Sequence, residues 1–260
     1  MPIERRETVL LVDGDLVLYR NASASEREVH WDDENIVLQT NLARAWESIQ
    51  ATIQGYVEAL SADRVVLTFT QGPSFRKAID PTYKAHRKGT RMPLGYNDLK
   101  LKALETYESK SLIGLEADDV MGILATKPGK SRRIIVSDDK DMQGIPGEIY
   151  RGGELAFISD SAADYWFMTQ TLIGDPADGY PGLPGCGAKT AEKILHEALD
   201  GLGSMSLGAT TLDHMWLSVV AAFNAKGFSE SEALLQARLA RILRWSDWDH
   251  VNKTPILWSP

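Results

Sequence analysis

Thr8-Val9-Leu10-Leu11-Val12-Asp13-Gly14-Asp15 is a β-branched, apolar stretch that ends in two acids. The pattern predicts a buried parallel strand over residues 8–12 with carboxylates at its carboxyl end, where α/β sheets place their chemistry. Two further strand-like stretches, Arg64–Phe69 and Ile134–Val136, alternate with stretches of helical spacing at about 34–60, 96–108 and 117–126. This alternation predicts an α/β fold with a doubly wound, mainly parallel sheet.

Beyond about residue 160 the apolar spacing is helical, over 162–173, 189–199, 213–225 and 229–244. We therefore predict a catalytic α/β domain over 1–160 and an all-α region over 161–260. Residues 72–95 carry three glycines and three prolines. This segment is therefore predicted to be broken rather than one long helix.

The 260-residue chain is 43% apolar, which is enough to bury a substantial core. It holds no apolar run of about 18 residues and begins with charged residues rather than a signal sequence, so we expect a cytoplasmic protein with no membrane partner. The single cysteine, Cys186, excludes an intramolecular disulfide and a cysteine-rich zinc site. Because the formal charge of −8 is unusual for a protein that binds a polyanion, the distribution of charge matters more than its sum.

Carboxylates collect where predicted strands end and predicted helices begin. Each one alone is typical of a helix cap or a dipole partner. A converging set needs cations, because two carboxylates about 4 Å apart repel by roughly 4 kcal/mol at an effective dielectric of about 20. Hard divalent ions with oxygen ligands suit such a set, and a pair of them can promote phosphodiester hydrolysis. The acids in question are Asp13, Asp15, Glu116, Asp118, Asp119, Asp139, Asp141, Asp175 and Asp178.

A basic strip lies between Arg76 and Arg91, with six Lys or Arg residues and one acid. Cations interleaved with an aromatic ring suit single-stranded or frayed nucleic acid, through phosphate pairing and base stacking. The alternative is an ordinary solvated face. The residues of the strip predicted to contact DNA are Arg76, Lys77, Tyr83, Lys84, Arg87 and Lys88.

A glycine-punctuated turn over residues 182–187 precedes a helical stretch. In a helix–hairpin–helix, such glycines let the backbone approach phosphates, and N–H groups at the start of the second helix bind them without regard to sequence. A helix–helix connection that uses glycine for geometry alone is the alternative. The predicted element lies at about 174–200, and its predicted DNA contacts are Gly185, Gly187, Lys189 and Thr190.

Five motifs follow one another along the chain, namely Val12-Asp13-Gly14, Phe75-Arg76 with Tyr83-Lys84-Ala85-His86-Arg87, Glu116-Ala117-Asp118-Asp119, Ser137-Asp138-Asp139-Lys140-Asp141, and Gly174-Asp175-Pro176-Ala177-Asp178 with the glycine turn. They occur in the order found in the 5′-nuclease (flap endonuclease-like) superfamily, which the chain resembles over nearly its whole length. Within the superfamily it most resembles the podovirus-type bacteriophage 5′→3′ exonucleases, and it is also similar to the 5′-nuclease domain of bacterial DNA polymerase I. The resemblance implies a PIN-like α/β domain, a helical arch at about 72–95, and a helix–three-turn–helix element that grips duplex DNA, often through a bound K⁺.

By position, the resemblance implies two divalent metal ions, Mg²⁺ or Mn²⁺. The first would be held, directly or through water, by Asp13, Glu116, Asp118, Asp119 and Asp139, and the second by Asp141, Asp175 and Asp178. Lys84 and Arg87 match arch cations that contact the scissile phosphate, so the expected catalytic residues are Lys84, Arg87, Asp13 and Asp139. The chain departs from the pattern at Phe69-Thr70-Gln71-Gly72, where many relatives place a further acid.

The sequence therefore predicts a two-metal 5′→3′ exonuclease that acts as a monomer on duplex DNA with 5′ ends or flaps. Flap-endonuclease cleavage and removal of RNA from RNA–DNA hybrids are left open. A phosphatase of the haloacid dehalogenase type is the main alternative, because Asp13-Gly14-Asp15 after a strand resembles its nucleophile motif. The basic strip and the glycine turn have no role in that alternative. A third hypothesis, a DNA-binding module without turnover, is opposed by the intact acids.

Overall fold

A computed structural model describes residues 5–31, 35–200 and 211–260. Its strands are β1 (Thr8–Asp13), β2 (Glu26–His30), β3 (Ile36–Thr40), β4 (Arg64–Thr68), β5 (Ser109–Lys110), β6 (Arg132–Val136), β7 (Gly147–Arg151), β8 (Glu154–Ile158), β9 (Trp248–Asp249) and β10 (Thr254–Pro255). The main sheet has the order β5-β4-β1-β6-β7-β8, and all its pairs are parallel except β7 with β8. The predicted α/β fold with a mainly parallel sheet is confirmed.

Helices cover both faces of this sheet and form the C-terminal region. They are α1 (Gly14–Ser25), α2 (Leu42–Leu60), α3 (Arg76–Ile79), α4 (Tyr96–Thr106), α5 (Ala117–Thr126), α6 (Asp160–Ile173), α7 (Ala188–Asp200), α8 (Thr211–Ala225) and α9 (Glu230–Ala240). Over the described ranges, none of them combines the length and apolar content that a bilayer span requires.

The first strand is the third of six in the sheet, with strands on both sides and helices on both faces, and every one of its residues is buried. In β1, Asp13 pairs with Thr68 of β4 and Val12 pairs with Val136 of β6. Helices α1, α2 and α4 pack on one face, and α5 packs on the other. The carboxyl ends of β1, β4 and β6 therefore meet at one edge, and the predicted acids that follow β1 and β6 lie at that edge.

The C-terminal helices share a core of their own around Phe167, Trp216 and Phe223. The chain that leaves α9 nevertheless packs back on the sheet, because Ile242 is buried with Val9 of β1. The change from strands to helices falls between β8 and α6, near the predicted boundary at residue 160. The division into two domains stays a prediction.

The prediction of one helix from about residue 34 to residue 60 was wrong at its start. Residues 36–40 form β3, which pairs antiparallel with β2, and α2 begins only after Asn41 caps it by accepting a hydrogen bond from the Arg44 amide at 3.0 Å. Glu34, where the predicted helix began, lies outside the described residues. The cross-strand partner of β3 decides its conformation, and apolar spacing within 34–60 alone does not reveal that partner.

The segment predicted as a helical arch, residues 72–95, has little helix. It contains α3, which is four residues long, and a 3-10 turn at Ala85–Arg87. This broken conformation agrees with its glycines and prolines. We call residues 72–95 the arch segment below.

Candidate metal centre and nucleic-acid interface

A cavity of about 630 Å³ opens at the carboxyl edge of the sheet, and we call it the acidic basin. Two cations of the arch segment, Lys84 and Arg87, line it together with six of the predicted metal ligands. Those six are Asp13, Glu116, Asp118, Asp139, Asp141 and Asp178. The fold thus brings together acids that are up to 165 positions apart in the chain, from Asp13 to Asp178.

Two of these acids are fixed by the ends of neighbouring strands. Asp13 caps α1 by accepting a hydrogen bond from the Leu16 amide at 2.9 Å. The Ser137 hydroxyl donates to Asp13 at 3.3 Å and accepts from the Asp139 amide at 3.2 Å. Ser137, which the sequence analysis quoted in a motif but gave no role, therefore ties the acid at the end of β1 to the acid that follows β6.

The acids at the start of α5 have different surroundings. Glu116 accepts hydrogen bonds from Lys84 at 2.5 Å and from Arg76 at 2.9 Å. Asp119 is fully buried and accepts two hydrogen bonds from Arg76, both at 2.8 Å. Asp118 is half-buried, and none of the described residues donates a hydrogen bond to its carboxylate. Asp119 is therefore held behind the basin, whereas Asp118 faces it.

The acids of the second predicted metal site lie near lysine ammonium groups. Asp178 lies 3.3 Å from Lys84, so the Lys84 ammonium joins the acids of the two predicted metal sites. Asp175 does not line the basin; it is buried and accepts from Lys140 at 3.0 Å. Asp141 lines the basin and accepts from Gln170 at 3.0 Å. Lys140 lies within the acidic motif of residues 137–141. The sequence did not predict its pairing with Asp175, because that pairing depends on the contact between this motif and the end of α6.

Burial and mutual repulsion weaken the acidity of several basin carboxyls. Burial, followed by the charges of Asp13, Asp139 and Glu116, raises the pKa of Asp118 well above its usual range. Burial also raises the pKa of Asp13 and that of Asp141 to about 6, and Asp139 adds to both shifts. Such groups ionise at neutral pH at a cost that a bound cation removes.

Glu116 behaves in the opposite way. Burial raises its pKa, but the charges of Arg76 and Lys84 outweigh that effect and lower it to about 2. The protein's own cations therefore outweigh burial at Glu116, whereas at Asp118 and Asp141 the charges of Lys84 and Lys140 lower the pKa less than burial and the neighbouring acids raise it.

The donor set of the basin fits hard divalent cations. In the described part of the chain, no three Asp, Glu, His or Cys side chains already converge as a complete ion cage. Lys84 and Lys140 pair with Glu116 and Asp175, so in this structure these two acids face an ammonium rather than one another. Mg²⁺ needs only one or two direct carboxylates together with water and phosphate oxygens, so a preformed cage is not required.

Residues 8–149 match the family model described as the 5′–3′ exonuclease, N-terminal resolvase-like domain. The chain belongs to the 5′–3′ exonuclease family. It is 32% identical to the exodeoxyribonuclease of Enterobacteria phage T3 and 30% identical to the exonuclease of Escherichia phage T7, in each case over 97% of this chain and 93% of the relative. The predicted enzyme class, a 5′→3′ exonuclease, is confirmed.

A solved structure is also similar over most of the chain. This is the bacteriophage T5 flap endonuclease, in a pseudo-enzyme-product complex with DNA and metal ions. Its TM-score is 0.64 at 19% identity, over 90% of this chain and 89% of that one. The likeness supports the predicted PIN-like fold.

In this member of the 5′–3′ exonuclease family, two residues of the basic strip differ from their predicted role. Arg76 is 3% exposed and Tyr83 is 2% exposed, so neither side chain is available to a phosphate or a base. Arg76 binds Asp119 and Glu116, and the Tyr83 hydroxyl donates to Asp178 at 2.9 Å. The prediction that these two side chains contact DNA does not match the structure, because both anchor the arch segment to the acids.

The other predicted DNA contacts are on the surface. Lys77, Arg87 and Lys88 are exposed in the arch segment, and Lys84 reaches the basin from a half-buried position. Gly185, Gly187, Lys189 and Thr190 are exposed at the start of α7. Gly185 has φ +72°, a conformation that favours glycine, which agrees with the predicted tight turn. Contact of any of these residues with DNA stays a prediction.

The departure at residues 69–72 has a structural explanation. The Thr70 hydroxyl accepts a hydrogen bond from the Ala117 amide at 3.1 Å and so caps the start of α5. Asp15, excluded from the predicted metal set, accepts hydrogen bonds from the Thr70 amide and the Tyr96 hydroxyl, both at 2.7 Å. A salt bridge with Lys100 at 3.1 Å completes its surroundings. The Asp15 carboxylate thus accepts hydrogen bonds from described residues of the protein, whereas the Asp118 carboxylate accepts none from them.

Proposed function

We propose that this exonuclease hydrolyses phosphodiester bonds at 5′ ends of duplex DNA in the acidic basin, with two divalent metal ions, Mg²⁺ or Mn²⁺. The observation that carries the proposal is the convergence of six predicted metal ligands in one cavity, beside the cations Lys84 and Arg87. Bound DNA and metal ions in the T5 flap endonuclease are consistent with it.

Asp13, Glu116, Asp118 and Asp139 would hold the first ion, with Asp119 acting through Arg76 rather than directly. The second ion would be held by Asp141 and Asp178, with Asp175 supporting that region through Lys140. When bound, such ions supply a hydroxide at neutral pH and stabilise charge on the leaving oxygen.

The chain's own cations position the strand. Burial lowers the pKa of Lys84, but Glu116 and Asp178 outweigh burial and raise it, so the side chain is an ammonium. Lys84 and Arg87 pair with acids that the proposal assigns to metal, which would leave their donors to a phosphate once those acids bind ions. They would then stabilise negative charge on the phosphate as it is attacked.

The exposed N–H groups at the start of α7 would hold the duplex by its phosphates, with a K⁺ ion in the glycine turn. RNA–DNA hybrids as a second substrate, the division at residue 160, cytoplasmic location and a monomeric state stay predictions.

Duplexes labelled at the 5′ or the 3′ end, with and without EDTA, test the proposed function. We expect short labelled products to leave the 5′ end first, and we expect EDTA to stop their release. EDTA-resistant hydrolysis or loss of the 3′ label first would contradict the proposal. A covalent aspartyl-phosphate trapped from a small phosphomonoester would instead favour the phosphatase alternative.

The raised pKa values predict how the metal-free protein responds to pH. Asp13 and Asp141 have folded pKa values of about 6 against 3.8 when unperturbed, so the folded state binds more protons than the unfolded state between about pH 4 and pH 6. These additional bound protons stabilise the folded state, and this stabilisation is lost as the pH rises through 6. We expect the melting temperature in EDTA to be higher at pH 5 than at pH 7.5, and Mg²⁺ to restore stability at pH 7.5. Asp118→Asn should reduce the fall in melting temperature between pH 5 and pH 7.5. A melting temperature in EDTA that rises from pH 5 to pH 7.5 would contradict the repulsion between the basin carboxylates.

A further inference from the structure

A second cavity, of about 340 Å³, lies beside the acidic basin and has no role in the proposed function. It shares Asp13 and Leu16 with the basin. The rest of its wall comes from α1, α2 and the ends of β6 and β7, and no residue of the arch segment lines it. Its volume lies at the lower end of the range for small-molecule sites, about 300–1,000 Å³.

Two tyrosines give this cavity an aromatic wall. Tyr56 and Tyr150 are half-buried, with ring centroids 6.1 Å apart and an interplanar angle of 74°. No described residue hydrogen-bonds to either hydroxyl. Aromatic faces accept any nucleobase, and free phenol hydroxyls can donate to or accept from its polar edge.

The charge of the wall favours a neutral group over a phosphate. Arg20 is the one cation among the described lining residues, and its guanidinium contacts Asp138. Asp138 also accepts a hydrogen bond from the Gly152 amide at 3.0 Å. Since Arg20 is paired with Asp138 and the proposed function assigns Asp13 to a metal ion, no unpaired cation of the wall is left for a phosphate, whereas a neutral nucleobase needs none.

We propose that this cavity binds the nucleobase of the nucleotide on the 3′ side of the cut. The inference rests on the proposed function, in which Lys84 and Arg87 of the arch segment contact the attacked phosphate, and it adds that the 5′-terminal nucleotide lies on the arch side of that phosphate. A strand cut in the basin has one nucleotide on each side of the scissile phosphate. The nucleotide away from the arch segment lies next to Asp13 and Leu16, through which the basin continues into the cavity.

Duplexes with and without a base at that nucleotide test the inference. We expect the unaltered protein to cut the abasic duplex about 5- to 150-fold more slowly, since stacking of one base contributes about 1–3 kcal/mol. Tyr56→Ala should slow cleavage of the complete duplex to the abasic rate and leave the abasic rate unchanged, whereas Tyr56→Phe, which keeps the ring, should retain most of the difference. Equal rates on both duplexes with the unaltered protein, or equal slowing of both by Tyr56→Ala, would overturn the inference.

A binding measurement separates this inference from the proposed function, because it needs neither metal nor hydrolysis. We expect deoxyadenosine, but not deoxyribose, to shift the amide NMR signals of Gly152 and Gly153 in the unaltered protein. Absence of such shifts would overturn the cavity assignment even if EDTA-sensitive cleavage is observed. Shifts without EDTA-sensitive cleavage would support the cavity as a base site while the proposed function failed.

Discussion

Asp139→Asn is expected to lower the rate of DNA hydrolysis by more than about 100-fold while the protein keeps its fold and much of its affinity for DNA. Replacing a residue that merely supports a metal ligand costs about 10–100-fold, and Asp139 lines the basin itself. The asparagine can still cap the following 3-10 turn, where the Asp139 carboxylate accepts from the Asp141 amide at 2.9 Å. The substitution therefore removes a charge and a metal-binding oxygen but retains the local hydrogen bond.

Single-turnover cleavage and DNA binding in EDTA would measure the two effects separately. Asp98→Asn is a matched control, because Asp98 is an exposed acid in the first turn of α4 and does not line the basin. We expect the control to cleave at the unaltered rate. Retained turnover in Asp139→Asn, with the control also active, would remove Asp139 from the site assignment.

The sequence predicted the acids of the basin because their positions follow from simple rules. A buried apolar strand that ends in an acid places that acid at the carboxyl edge of a parallel sheet, which holds for Asp13 after β1 and for Asp139 after β6. Spacing cannot predict which acids face the cavity. Asp118 and Asp119 are adjacent, yet Asp118 lines the basin and Asp119 faces Arg76.

The roles of Arg76 and Tyr83 could not be predicted from the basic strip. Their burial depends on α9, more than 150 positions away: Arg76 donates to the Leu239 carbonyl at 2.9 Å, and Tyr83 packs with Leu239. In a sequence, a cation beside an aromatic ring is compatible with a surface that binds nucleic acid and with side chains that anchor the segment to the rest of the protein. The contact with α9 decides between these two roles. The β7–β8 hairpin was missed for a related reason, because its strands are recognised by pairing with each other.

Arg76→Ala is expected to lower the free energy of unfolding by about 3–5 kcal/mol, because it would leave the fully buried Asp119 carboxylate without its charged partner. It would also remove hydrogen bonds to the backbone carbonyls of Leu239 and Arg241, which tie the arch segment to the end of α9. Lys77→Ala, the matched control, removes the exposed neighbouring cation and should change stability by less than about 0.5 kcal/mol. Urea unfolding of both variants measures the difference.

A double variant separates the lost charge partner from lost packing. If the unpaired carboxylate causes the loss, Arg76→Met combined with Asp119→Leu should be more stable than Arg76→Ala, since a buried pair replaced by apolar residues is often tolerated. Similar small losses in Arg76→Ala and Lys77→Ala would contradict the anchoring role. The effect of Lys77→Ala on DNA binding should differ from its effect on stability. If the arch segment contacts phosphates, Lys77→Ala weakens DNA binding and reduces the salt dependence of that binding, although it leaves stability unchanged.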